Sequence, residues 1–188
     1  MNKVHNLMVL WDRTRNGEQK SFALLHKALY PDLFRYAITM IQDTDVVDDL
    51  LQELFIKFWE NRVKIGEITN VRAYFYRSTR CTLLDHIRRS QLKAAKLDAM
   101  PIPEFEFSNE DTIISREQDV ELKEAMMGAI NSLPLKQREV IHMRFYQDLN
   151  YNQIAAITGI RYQSVVNQVY RAVQILRETC VLSNIYAA

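Results

Sequence analysis

The chain reads as an all-α protein of two small helical domains joined by a flexible acidic linker. Three observations predict this. Apolar residues recur at threes and fours along nearly every stretch of the chain. Glycine and proline number four each in 188 residues, too few for the tight turns of a many-stranded sandwich or barrel. The helical period lapses between Asp98 and Asp119, where Pro101 and Pro103 fall close together. A gap that long is unusual inside one compact domain. The domains are expected at residues 1–96 and 120–188, with residues 97–119 as the linker.

Hydrophobic residues make up 48% and charged residues 25%, enough apolar side chain for a core and a composition unlike a disordered chain. The glycines stand singly at Gly17, Gly66, Gly128 and Gly159, so neither a dinucleotide fingerprint nor a P-loop is present. Cys81 and Cys180 lie far apart without CxxC spacing, which fits a reduced cytoplasmic protein without a disulfide or zinc site. The apolar run Leu7 to Trp11 ends at Asp12. It predicts neither a signal peptide nor a membrane span.

A short first helix should end at Asn16-Gly17. The second carries Phe22, Leu25, Leu29, Leu33, Tyr36, Ala37 and Met40, with a break or kink expected at Tyr30-Pro31. The third carries Val47, Leu50, Leu51, Leu54 and Phe58, with Asp45 as N-cap and Asp48 and Asp49 in the first turn. The fourth should run from Val71 to about Lys96. Helical pattern resumes near Val120 and continues to about Cys180.

The stretch from Asn150 to Arg171 meets the steric needs of a helix-turn-helix. Ala155 is small where the second helix crosses the first. Gly159, four residues on, tolerates a positive φ in the turn, and Val165 is the branched core residue of the second helix. Ile154 and Ile160 flank that core, and Val165, Val169, Val173 and Leu176 form one stripe. Arg161, Tyr162, Gln163, Ser164, Asn167, Gln168 and Arg171 are left at the start and outer face. A recognition helix places such residues on base edges of the major groove. Gln and Asn pair bidentately with adenine, and Arg with guanine. Upstream, Pro134 marks a helix start after Ser132-Leu133, and His142 reads as a structural histidine.

The net charge of +1 conceals two opposed faces. Between Ile41 and Glu60 the acids Asp43, Asp45, Asp48, Asp49, Glu53 and Glu60 meet one base, Lys57. Between Asn70 and Lys96 the bases Arg72, Arg77, Arg80, Arg88, Arg89, Lys93 and Lys96 meet one acid, Asp85. Interleaved with Tyr74, Phe75 and Tyr76, of which at least one packs inward, that basic helix suits unpaired DNA: arginines track phosphates and aromatic faces stack bases. The acidic helix also bears Leu54, Phe55, Phe58 and Trp59 beside Gln52. Such a surface suits a protein partner, with Trp59 serving either the interface or the core. The four histidines His5, His26, His86 and His142 are isolated, and no Ser/His/Asp or metal constellation occurs. No enzyme, cofactor, metal or small-molecule substrate is expected.

The arrangement resembles the sigma-70 family of bacterial RNA polymerase specificity subunits, most of all its small extracytoplasmic-function (ECF) group. The run from Asp48 to Asn61 is similar to the segment that binds the polymerase clamp coiled coil. The resemblance makes Asp48, Asp49, Gln52, Glu53, Phe55 and Trp59 polymerase contacts. The run from Asn70 to Arg89 resembles the stretch that opens and reads the −10 element. This implies DNA contacts at Asn70, Arg72, Tyr74, Arg77, Arg80, Arg88, Arg89 and Lys93. Leu133 to Glu178 is similar to the −35-reading domain, which gives the seven recognition-helix residues their target. The resemblance further implies core RNA polymerase and promoter DNA as partners, an anti-sigma factor, and no direct membrane insertion. Cys81 stands where the family often has Asn, and Val166 and Gln168 stand where it is frequently basic. Fewer phosphate contacts weaken the salt-dependent share of −35 affinity. The alternative reading is a conventional helix-turn-helix regulator that binds duplex DNA without polymerase.

Overall fold

The computed structural model describes the backbone of residues 3–96, 126 and 128–186. The acidic linker expected at residues 97–119 lies outside the described residues, as does the start of the second helical domain at 120–125. Every regular element among the described residues is helical. The chain divides into two compact units.

The first unit contains α1 (Lys3–Arg15), α2 (Gln19–Ile38), α3 (Thr44–Asn61) and α4 (Val71–Lys96). α2 packs on the other three, and α4 also touches α1 and α3. The core is largely aromatic. Phe75 of α4 lies with its ring centroid 4.0 Å from Phe58 of α3 and 5.8 Å, edge-on, from Trp11 of α1. Tyr76 lies 5.5 Å from Tyr36 of α2. Leu25, Leu29 and Leu33 complete the α2 stripe, all buried. Each such side chain contributes about 1.5–3 kcal/mol on burial. The turn between α1 and α2 uses Gly17 at φ +89, as the Asn-Gly pair requires.

Two local expectations change, the break at Tyr30-Pro31 and the N-cap of α3. α2 runs unbroken through Pro31. The proline sits on the exposed side, while Leu29 and Leu33 hold the helix to the core on either side of it. Burial there outweighs one missing backbone bond and a ring clash. The N-cap of α3 is Asp43 rather than Asp45. Its carboxylate accepts from the backbone N–H groups of Asp45 and Val46, both at 3.1 Å. Asp45 is then the acid of the first turn, and Asp48 and Asp49 fall beyond it.

The second unit contains helical residues 128–131, α5 (Leu135–Ile141) running into a π-helical turn (His142–Tyr146), α6 (Tyr151–Thr158, which belongs to this unit through Ala155) and α7 (Tyr162–Tyr186). Ile130, Leu133, Val140, Met143, Leu149, Ile154, Val165 and Val169 are buried, and Tyr146 and Leu176 pack on Ile130. Pro134 precedes the first turn of α5, and its carbonyl accepts from the N–H groups of Gln137 and Arg138. The Arg138 guanidinium, itself buried, donates to the carbonyls of Asn131 and Leu133 (3.1 Å to the latter). It thereby satisfies acceptors left open where the preceding helix ends. His142 is fully buried and stacks on Tyr146 at 5.4 Å, a structural place as expected.

Candidate nucleic-acid and polymerase interfaces

The helix-turn-helix takes its shape from three local devices. Asn150 opens α6 with a capping box: its side chain accepts from the Gln153 N–H at 2.9 Å, and the Gln153 side chain accepts from the Asn150 N–H at 2.8 Å. Gly159 closes the helix at φ +74, with its N–H on the Ala155 carbonyl at 2.9 Å. The Arg161 carbonyl then accepts from Ser164 and Val165, starting α7. Val165, Val169 and Ala172 face inward, and Val173 and Leu176 lie half-buried along the same stripe.

Burial on that side turns the opposite side of α7 to solvent. Arg161, Tyr162, Gln163, Asn167 and Arg171 are exposed, and Ser164 and Gln168 are half-buried beside them. Gln163 and Asn167 are joined: the Gln163 amide N–H donates to Asn167 Oδ1 at 3.2 Å. Tyr162 stands edge-on to Tyr151 at 6.0 Å, and the Arg144 guanidinium lies 5.5 Å from the Tyr151 ring. Sequence reasoning missed Tyr151 and Arg144 as neighbours of this surface. The position of Tyr151, directly after the Asn150 cap, was the available signal.

On α4 the sequence-derived candidates separate by environment. Arg77, Arg88 and Arg89 are exposed, with Arg88 3.5 Å from Asp85. Arg80 is half-buried. Tyr74 is half-buried against Phe58 (5.9 Å), whereas Phe75 and Tyr76 are core. Two of the three aromatics therefore have no face for a base. Asn70 caps the helix, its side chain accepting from the Ala73 N–H at 2.9 Å. Arg72 pairs with Asp32 at 3.3 Å and lies 5.6 Å from the Tyr76 ring, so its charge is engaged within the unit. Burial holds the Tyr76 hydroxyl far above its usual range, against the opposing pull of the Arg72 charge. Only the backbone of Lys93 lies within the described residues.

On α3, Asp49, Gln52 and Glu53 are exposed. Asp48 accepts from the Tyr30 hydroxyl on one oxygen and from the Gln52 amide on the other at 2.7 Å. Burial first, then the Asp48 hydrogen bond and charge, push the Tyr30 hydroxyl far up, so it stays a donor. Trp59 is half-buried between Phe22 (5.2 Å) and the Arg62 guanidinium (4.1 Å), an intermediate between the two roles open to it. Phe55 lies in the core. It is 3% exposed, among Phe22, His26, Phe58 and Phe75. So enclosed, the ring packs the interior of the unit. The apolar residue that does face out is its neighbour Ile56, 57% exposed, which sequence reasoning missed; its place four residues after Gln52 was the signal.

No described helix is long and apolar enough to cross a membrane. Among the described residues no cluster of three His, Cys, Asp or Glu side chains forms a metal site.

The second unit is thus a helix-turn-helix module, and the first a helical bundle with an acidic helix and a basic one. Family models for sigma-70 region 2 and sigma-70 region 4 match residues 25–92 and 123–176. The chain is 27% identical over 146 residues to RNA polymerase sigma factor SigV of Bacillus subtilis (strain 168), covering 78% of this chain and 82% of that protein. It is 26% identical over 170 residues to the ECF RNA polymerase sigma-E factor of Escherichia coli (strain K12), covering 87% and 88%. The fold is shared with the sigma factor RpoE solved with the anti-sigma factor NepR from Bartonella quintana: TM-score 0.67, 21% identity, covering 86% of this chain and 97% of that one. The chain belongs to the sigma-70 family, in the ECF group of promoter-specificity subunits of bacterial RNA polymerase.

Proposed function

We propose that this sigma factor divides promoter initiation among three of its own surfaces. The outer face of α3, with Asp49, Gln52, Glu53 and the exposed Ile56, docks on core polymerase. Asp48 shapes that face through Tyr30 and Gln52. The start of α7, from Arg161 to Arg171, reads the −35 duplex. The solvent face of α4, with Arg77, Arg88 and Arg89 and the part-open ring of Tyr74, holds the strand that leaves the −10 stack. Unstacking costs a few kcal/mol per base, and stacking and phosphate contacts offset it. Residues 1–96 and 120–188 are the corresponding domains.

The observation that carries this reading is the presence, in one chain, of a region 2 match and a region 4 match whose helix-turn-helix is built on Gly159 and Val165. A regulator that binds operators alone has no need of a region 2 unit. The chain works by binding and positioning, without catalysis of its own, in the cytoplasm where polymerase acts. An anti-sigma factor is a fitting regulator, since the structural relative RpoE was solved with one.

The test is reconstitution with core polymerase. Transcription from a selected promoter should require this chain, and replacing both Arg88 and Arg89 by Gln should slow promoter opening while polymerase affinity holds. Tight operator binding and repression without polymerase would establish the regulator instead.

A further inference from the structure

The two exposed amides in the first turns of α7, Gln163 and Asn167, are hydrogen-bonded to each other rather than left to solvent. Residues four apart share a helix face. The bond has a definite sense: the Gln163 N–H donates and Asn167 Oδ1 accepts, at 3.2 Å. A free glutamine amide rotates and offers its oxygen or its nitrogen in either place. With one N–H engaged by Asn167, the remaining edge of Gln163 presents one oxygen acceptor and one N–H donor side by side.

That edge is complementary to adenine in the major groove, where N7 accepts and the N6 amino group donates. The surroundings favour a neutral reader. The positions between and beside the pair are Ser164, Val166 and Gln168, with Arg161 at the helix start and Arg171 one turn beyond. No cation stands between the two amides to take guanine O6 and N7 instead.

We propose that Gln163 reads one adenine of the −35 element and that Asn167 is the positioning residue that sets the orientation of its amide. This deepens the −35 role proposed above and rests on it. Fixing the amide before binding removes rotamer entropy that docking would otherwise cost. Discrimination at that base pair should be roughly 10-fold or more, the range of a bidentate base contact.

The test uses the full chain with core polymerase and a duplex library randomised across the −35 element. The wild-type chain should enrich adenine at one position. Gln163→Ala and Asn167→Ala should both lose that preference at the same position, and the double variant should be no worse than either. Asn167→Asp is the directional control. A carboxylate only accepts, so it keeps the Gln163 N–H engaged and should preserve the adenine preference while its charge lowers affinity for all sequences alike. The proposal is overturned if Asn167→Ala leaves the adenine preference intact, if the two variants relax different positions additively, or if Asn167→Asp loses it as Asn167→Ala does. A wild-type chain that enriches no −35 sequence overturns the −35 role itself, a result distinct from all of these.

Discussion

The Arg72 guanidinium lies 3.3 Å from the Asp32 carboxylate, forty residues away in the chain, and so ties the first turn of α4 to the middle of α2. Asp32 also takes Arg35 at 2.5 Å. The Arg72 and Asp32 side chains are 23% and 19% exposed, less open to solvent than an ordinary surface pair.

Arg72 is therefore engaged within the fold, and the proposed function leaves DNA to the exposed Arg77. Arg72→Gln should lower the stability of the first unit by about 1–2 kcal/mol, between a surface pair and a buried one. Arg77→Gln, at an exposed position, should change stability by less than about 0.5 kcal/mol. Only Arg77→Gln should reduce the salt dependence of promoter binding. Urea titration and a salt series on both variants separate the roles; equal stability losses would contradict them.

Phe55 and Ile56 are adjacent, apolar and opposite in exposure. Phe55→Ala should cost about 3–5 kcal/mol as a cavity opens beside Phe58 and Phe75. Ile56→Ala should leave the melting temperature almost unchanged and weaken capture of core polymerase several-fold. Melting curves paired with polymerase titration read both, and an Ile56→Ala chain with wild-type affinity removes Ile56 from the interface.

A methyl group placed on Gly159 would meet no neighbour within 4 Å, so the cost of a side chain there is backbone strain alone. Gly159→Ala at φ +74 should lose about 1–2 kcal/mol from the second unit. Gly159→Asn should lose less, because Asn visits that region more readily. Asn150→Ala should lose about 1 kcal/mol through its cap. The ordering Ala below Asn at position 159 is the decisive readout in denaturant.

His26 is stacked on Tyr30 at 4.8 Å and lies 4.5 Å from Phe55, and burial holds its pKa below 6.5. Below about pH 6.5 the unfolded chain takes up a proton that folded His26 resists, so stability falls as the pH drops. Above that pH both states are neutral and the effect vanishes. The urea midpoint of the first unit should be lower at pH 5.5 than at pH 7.5, and His26→Gln should flatten that difference. An unchanged slope in the variant would place the dependence elsewhere.

Much of this was legible in sequence. The span of α4 from Val71 to Lys96 follows from its period, and the turn at Gly159 from the spacing of Ala155, Gly159 and Val165. The Gln163 and Asn167 face follows from the Val165 stripe opposite it. These are local properties: helical period and a positive φ depend on neighbours within a turn or two.

Other features came only with packing between helices. Period alone marks Phe55 and Ile56 as neighbours at the edge of one stripe; the rings of Phe22, Phe58 and Phe75 decide which is enclosed. Seven basic residues between Asn70 and Lys96 look alike in sequence, and Asp32 on another helix singles out Arg72. Pro31 breaks helices by local rule, yet Leu29 and Leu33 carry α2 through it by burial. The sequence by itself determined two helical units, their charged faces and the turn. The tertiary structure decided which side chains on those faces are free to meet a partner, because burial and ion pairing join residues tens of positions apart.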